Sequence, residues 1–336
     1  MLISNSATKE KFNVKAIDSA LFSAKNRKMF SLFPGKTARR IECVLFALAL
    51  TFAIPARAAQ LPRCCVWRVT NAKAPFYLVG SIHTLTKKDY PLPIPYEIAF
   101  KDSRRLLFES DPTRHAEFEK KFAAAAKYPR GQDIRSKIDP QLLAWLRQNV
   151  VAVDVDPRRG KRSEVRRFDS GLDYKPWWIA QHLVDKNSNT KVSTVHGLDN
   201  YFVDRAKQMR REIGGLESVD EHVAVLGGLS DRDGEIILRD ALTGPKNGAV
   251  EFNRMLKAWR TGNTDTLWAG DAPFRKEAPS IAARFVDERN LKWIPRIVAE
   301  LQSGKPTAIV AGALHFAGPN SVIKLLEKRG YKIEQL

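Results

Sequence analysis

The chain is predicted to be an α/β protein: a central, mainly parallel sheet flanked by helices, with an inserted helical region. Three observations predict this. Apolar runs of strand character, such as Phe76–Val79 and Thr307–Ala311, alternate with helix-length segments, the pattern of a parallel sheet covered on both faces. The stretch from Asp231 to Leu301 is helical in pattern almost throughout. Polar side chains that can do chemistry, His83, Glu109, Glu217 and His315, fall at or just past the C-terminal ends of strand-like runs, where such sheets bind ligands. A composition of 44% hydrophobic and 28% charged residues agrees with a globular chain rather than a disordered one.

Residues 1–58 stand apart from that fold. Lys36, Arg39 and Arg40 precede an apolar stretch from Val44 to Ile54, and Ala56-Arg57-Ala58 offers the small residues of a cleavage site. This reads as a secretory signal peptide, so the expected location is periplasmic or secreted. The apolar run is about a dozen residues, short of the roughly 20 that span a bilayer. Met29 would begin a leader of ordinary length, whereas residues 1–28 are long and basic for one. Residues 59–336 are the expected domain.

The leader carries +7 of the formal charge of +19, so the remainder is still basic at +12. Its densest cluster is Arg158, Arg159, Lys161, Arg162, Arg166 and Arg167, read as a solvated loop, with contact to an anionic surface as the functional alternative. No zinc-finger, helix-turn-helix or RNA-binding signature accompanies it, which argues against a nucleic-acid partner. Cys64 and Cys65 are adjacent in sequence and are read as free thiols rather than a long-loop bridge.

The elements follow in order. Trp67-Arg68-Val69 and Phe76–Val79 form a hairpin across the short link from Asn71 to Pro75. Pro91 to Pro95 is irregular, residues 96–103 are helical, and Arg105–Glu109 is a third strand ending in a carboxylate. Residues 115–128 form an Ala- and Lys-rich helix. Asp139-Pro140 caps another over Gln141 to Gln148, with Pro in the first turn. Between Tyr174 and Val225, helical segments mix with two apolar pieces, Val192–Val195 and Ile213–Leu216, the second ending at Glu217. Ser321 to Lys328 is amphipathic and stops at Arg329-Gly330-Tyr331, before a last strand, Lys332–Glu334.

The chemistry concentrates in a duplicated motif. Gly80-Ser81-Ile82-His83 and Gly312-Ala313-Leu314-His315 each follow a strand-like run, about 230 residues apart. A Gly three residues before the His lets the backbone turn and leaves room for a substrate. Two neutral imidazoles and a carboxylate make a common set for a catalytic divalent ion, with a coordination position left open for water. His83, His315 and Glu109 would supply it, and Glu217 is the candidate second carboxylate that moves a proton. Arg289-Asn290 has no packing rationale inside its helix and is a candidate oxyanion stabiliser or brace for a carboxylate. His115, His182, His196 and His222 are read as surface or packing residues, and Trp177-Trp178 as core with a substrate wall as alternative. There is no Gly-x-Ser-x-Gly elbow and no His-Glu-x-x-His helix, which argues against those hydrolase classes.

These residues resemble the TraB/GumN family, which takes in the TIKI metalloproteases. The resemblance runs from about Val66 to the C-terminus and rests on the two Gly-x-x-His motifs and Leu106-Leu107-Phe108-Glu109. Lys175-Pro176-Trp177, Gly215-Leu216-Glu217, Trp259-Arg260-Thr261-Gly262-Asn263, Glu288-Arg289-Asn290 and Leu325–Tyr331 add to it. Ser81 stands where the family usually has Thr, and Asn263 where Asp is commoner. The resemblance implies a metal-dependent hydrolase, most simply a peptidase acting on a peptide or protein with manganese, cobalt or zinc, on a fold related to erythromycin-esterase-like proteins. It carries a metal or catalytic role to His83, Glu109 and His315, and a catalytic one to Glu217, Arg289 and Asn290. Two alternatives stay open: a metal-independent esterase-like hydrolase, and a non-catalytic periplasmic protein that binds a ligand or signals.

Overall fold

The computed structural model describes residues 9–14, 63–155, 162–187, 194–243 and 248–336. The leader's apolar run and cleavage site, Arg158, Arg159 and Lys161, and Val192 lie outside these residues. Nine strands occur among them: β1 Lys9–Val14, β2 Val66–Val69, β3 Phe76–Ser81, β4 Arg105–Ser110, β5 Val150–Val155, β6 Arg162–Arg167, β7 Glu212–Glu217, β8 Thr307–Gly312 and β9 Ile333–Gln335.

Six of them form the central sheet, in the order β7-β4-β8-β3-β2-β9. The four strands from β7 to β3 are mutually parallel, while β2 pairs antiparallel with both β3 and β9. The sheet is therefore mixed but mainly parallel, with helices packed around it, as the sequence predicts. Parallel strands in its middle are buried on both faces, which is why Leu78, Val79, Ile309 and Val310 are wholly buried and read as continuous apolar runs. Each such side chain contributes about 1.5–3 kcal/mol by burial, and Ile309→Ala would cost about 2–5 kcal/mol once the cavity is included.

Register decides where the polar residues end up. Ser81 lies opposite Gly312, and Ser110 opposite Glu217. The C-terminal ends of β3, β8, β4 and β7 thus share one edge of the sheet, and His83, His315, Glu109 and Glu217 gather there from four segments remote in sequence.

The helix Glu288–Ser303 starts at that edge and runs back along the strands, from Arg289 beside Glu109 and Glu217 to Glu300 beside Arg105 at the start of β4. Arg289, Trp293, Ile297 and Leu301 recur at helical spacing on its buried face, while Leu291 is 55% exposed. A single π turn, Ala283–Asp287, precedes it, and Gly304 in the left-handed region closes it. Other caps follow the sequence reading: the Asp139 carboxylate accepts the backbone N–H groups of Gln141 and Leu142 at the start of Pro140–Asn149.

Three differences stand out. Arg162, Arg166 and Arg167, expected in a loop, lie in β6, which pairs antiparallel with β5 beside β1 in a second, three-stranded sheet. Arg-Ser-Glu-Val-Arg-Arg carries no apolar alternation to announce a strand; its pairing comes from β5. The strand β1 falls inside the segment read as leader. In place of the apolar piece expected at Val192–Val195, Thr194–His196 form a 3-10 turn. Trp177 and Trp178 pack with Phe122 and Tyr174 and belong to the core. Cys64 and Cys65 are free and buried. No helix among the described residues is long and apolar enough to cross a membrane.

Candidate functional site

At the sheet edge the two motif histidines face one carboxylate. His83 Nε2 is 3.9 Å from Glu109 Oε1, and His315 Nε2 is 3.8 Å from the same oxygen. That oxygen also accepts the backbone N–H of Gly312 at 2.8 Å. The two motifs, separated by most of the chain, therefore converge, because β3 and β8 are register-matched neighbours and β4 brings Glu109 in from the other side.

Each imidazole is held by its other nitrogen. His83 Nδ1 lies 2.9 Å from Oδ2 of Asp199, whose Oδ1 accepts the Ser81 hydroxyl at 3.0 Å. His315 Nδ1 lies 2.7 Å from Oδ1 of Asn290. The Asn290 amide nitrogen donates to the carbonyls of His315 and Asn320, which turns its oxygen toward the ring. Both partners accept, so Nδ1 carries a proton in each ring and Nε2 is the nitrogen left on the Glu109 side. Metal-bound histidines are commonly oriented this way.

Arg289 ties the acidic residues together. Its Nη2 donates to Glu109 Oε2 at 2.6 Å and to Glu217 Oε2 at 3.0 Å, and its Nε donates to Glu217 Oε1 at 2.6 Å. Nη1 donates to the Phe285 carbonyl and approaches His315 Nε2 at 3.3 Å. All five guanidinium N–H groups thus have partners. Glu217 is equally committed: besides Arg289 it accepts Trp293 Nε1 at 2.9 Å and pairs with His222 Nδ1 at 2.7 Å.

Titration follows from this packing. Burial by itself would raise the Glu109 carboxyl, but the Arg289 charge, with His315 and His83, carries it well below the usual carboxylate range. Glu217 is likewise lowered against its burial, by the hydrogen bonds from His222 and Arg289. Burial pushes His315 down to about 3, helped by Arg289, so its ring is neutral at ordinary pH. Asp199 raises His83 above its ordinary value, against the effect of burial.

The sequence-predicted residues His83, Glu109, His315, Arg289 and Asn290 meet in one cluster, and Glu217 joins it through Arg289. Neither motif glycine adopts a left-handed conformation. Gly80 is required for close packing, since a Cβ there would lie 2.9 Å from Cys65 Cβ. Gly312 keeps space open: a Cβ there would lie 3.3 Å from Glu109 Oε1, 3.6 Å from His83 Nε2 and 3.7 Å from His315 Cδ2. Sequence reasoning missed Asp199 and His222. Leu198 N–H donates to the Ile82 carbonyl, and that pairing brings Asp199 to His83.

The donor chemistry fits a divalent cation, two imidazole lone pairs and a carboxylate oxygen turned to one another. The spacing is wider than coordination requires, and among the described residues no group of three or more His, Cys, Asp or Glu stands close enough to hold an ion. A cavity of about 670 Å³ opens onto the cluster, lined by His83, Glu109, Arg289, Gly312 and His315 at one end.

The TraB/PrgY/gumN family model matches residues 65–335 of this chain. Among known proteins, the chain is similar to Metalloprotease TIKI1 of Danio rerio, 22% identical over 77% of this chain and 60% of that protein. It is also similar to Metalloprotease TIKI2 of Xenopus tropicalis, 22% identical over 88% of this chain and 65% of that one. With the uncharacterized protein YbaP of Escherichia coli (strain K12) it is 23% identical over 75% of this chain and 87% of YbaP. It therefore spans less than two thirds of the length of the two metalloproteases. No solved structure matches it.

Proposed function

The chain belongs to the TraB/PrgY/gumN family, and from that premise we propose that it is an exported, divalent-metal-dependent hydrolase acting on peptides. One observation carries the reading. Two imidazoles from opposite ends of the chain, each fixed through Nδ1, turn Nε2 toward a single buried carboxylate oxygen. Two of the similar proteins bear the name metalloprotease, which supports the same chemistry.

His83, Glu109 and His315 would hold the ion. Once bound, manganese, cobalt or zinc would supply a Lewis acid and a water of lowered pKa. The rest is the work of the chain. Asp199 and Asn290 keep both rings in the ligating tautomer, and the low pKa of His315 keeps its lone pair free of protons. Arg289 holds Glu109 ionised and fixed. Four of its five donors are held by Glu109, Glu217 and the Phe285 carbonyl, so we assign it the brace role rather than the oxyanion role. The fifth rests on His315 Nε2 and would be released when that nitrogen takes the ion. Glu217 has no contact left with which to take a proton, so we read it as the anchor of Arg289.

A second reading, metal-independent acid–base hydrolysis by His83, draws on the Asp199–His83 pair, in which a carboxylate orients an imidazole and raises its pKa. The experiment that separates them is peptide hydrolysis by protein purified without a His tag. Loss of activity in EDTA, its return with manganese, cobalt or zinc, and its absence in His83→Ala are expected. Full activity in EDTA would remove the metal. Export rests on the leader alone, and contact of the basic segment with an anionic surface on its charge.

A further inference from the structure

Beyond the reactive cluster, most of the cavity wall is apolar, broken by Gln181, Thr266 and one charged set. Leu226 from the helix Val219–Gly227, Phe252 and Met255 from Gly248–Arg260, Leu267 from Thr264–Glu277, and Phe285 and Val286 from the π turn line it. Four segments that are separate in sequence thus present hydrophobic side chains to one space. Its charged lining residues fall into two groups. One is the His83–Glu109–Arg289–His315 cluster. The other is a set made by Glu251, Arg254 and Asp271, in which Glu251 and Arg254 pair at 2.5 Å and Asp271 pairs with Arg275 at 2.5 Å. Glu251 is neutralised by Arg254, whereas Asp271 shares Arg275 with Asp287, so this set offers no surplus positive charge to recruit an acidic side chain. A volume of about 670 Å³ falls within the usual range for ligand sites, about 300–1,000 Å³.

We propose that this cavity is a specificity pocket for bulky apolar side chains, and that the substrate is a peptide with Leu, Phe, Met or Val beside the bond that is cut. The inference rests on the peptidase reading and specifies its substrate class. An apolar wall rewards burial of an apolar group and penalises a charged one that would lose its water without gaining a partner. Phe252 and Met255, on the half-exposed face of their helix, determine the preference without belonging to the reactive cluster.

The test is cleavage of a mixed library of synthetic peptides by the manganese-loaded enzyme, read by mass spectrometry, with Met255→Lys in parallel. Met255 is 37% exposed, so the variant should fold, and circular dichroism checks that it does. The wild type should favour Leu, Phe, Met or Val at one flanking position by about tenfold or more over charged residues. Met255→Lys should lose that preference and gain one for Asp or Glu. Cut sites that mirror the library composition, or an unchanged profile in the variant, would overturn the proposal. Absence of all cleavage would count against the peptidase reading, and the pocket is then read by binding. A fluorescein-labelled peptide with a Leu-Phe-Leu centre should bind about tenfold more tightly than its Ser-Gly-Ser counterpart, and equal affinities would overturn the pocket.

Discussion

His83 Nδ1 lies 2.9 Å from Oδ2 of Asp199, across 116 residues of sequence. That contact fixes which nitrogen of the first motif histidine is left for chemistry. Replacing Asp199 by Ala frees the ring to rotate and removes the charge that raises it. We expect an activity loss of about 10- to 100-fold, with a higher metal concentration needed for half-maximal rate. NMR titration should find the His83 pKa lowered. An unchanged titration together with unchanged activity would refute the role of Asp199.

Glu217 accepts from Arg289, Trp293 and His222 within a buried cluster. Glu217→Ala strands all three, including a buried guanidinium. Breaking such a pair costs about 3–5 kcal/mol. Urea unfolding should report that loss, and Glu217→Gln, which keeps one acceptor, should lose less. Activity should fall with it because Arg289 also holds Glu109. A cost below about 1 kcal/mol, the size of an exposed pair, would show that Glu217 is not the anchor.

Much of this site was legible in the chain. Strand runs followed by Gly-x-x-His fixed the sheet edge at which His83 and His315 end, and the parallel order made their meeting natural. Arg289 and Asn290 were legible as polar residues without a packing excuse. Asp199 was hidden because it lies on a helix with no motif of its own, and only the Leu198–Ile82 backbone contact reveals its destination. His222 looked like a helix-face residue, since a spacing of five from Glu217 gives no hint that the two pair. The strand at Arg162–Arg167 was hidden for a different reason: pairing, not side-chain pattern, defines it.

Gly312 offers a test of the space between the proposed ligands. Its backbone is at φ −49° and ψ 133°, which Ala adopts without strain. Gly312→Ala should therefore fold with little change in thermal midpoint. Its methyl group would press on Glu109 Oε1 at 3.3 Å and fill the space beside both imidazoles in ordinary contact at 3.6 and 3.7 Å. Displacing reactive groups by a fraction of an ångström can cost on the order of 100-fold in rate. Wild-type kcat/KM in a folded Gly312→Ala protein would contradict the site.

Acid sensitivity should trace to His315. Its folded pKa is about 3, below an ordinary value of 6.5, so between those values the unfolded chain takes up a proton that the folded one does not. Stability from this group is fully present above pH 6.5 and declines as pH falls, at up to about 1.4 kcal/mol per pH unit. His83 acts with the opposite sign: its raised pKa gives stability present below 6.5 and lost as pH rises through its folded value. Glu109 and Glu217 are lowered, so their contribution is present above about 4.5 and lost only on further acidification. Asp271, Asp240 and Glu119, raised by burial, act in the opposite direction on acidification, so the His315 contribution between pH 6.5 and 4.5 is read as the difference between wild type and a His315 variant. Urea unfolding at pH 6.5 and 5.0 should find wild type losing about 2 kcal/mol, and His315→Gln, which cannot titrate, losing clearly less. Equal losses in the two proteins would mean that the buried imidazole is not the source.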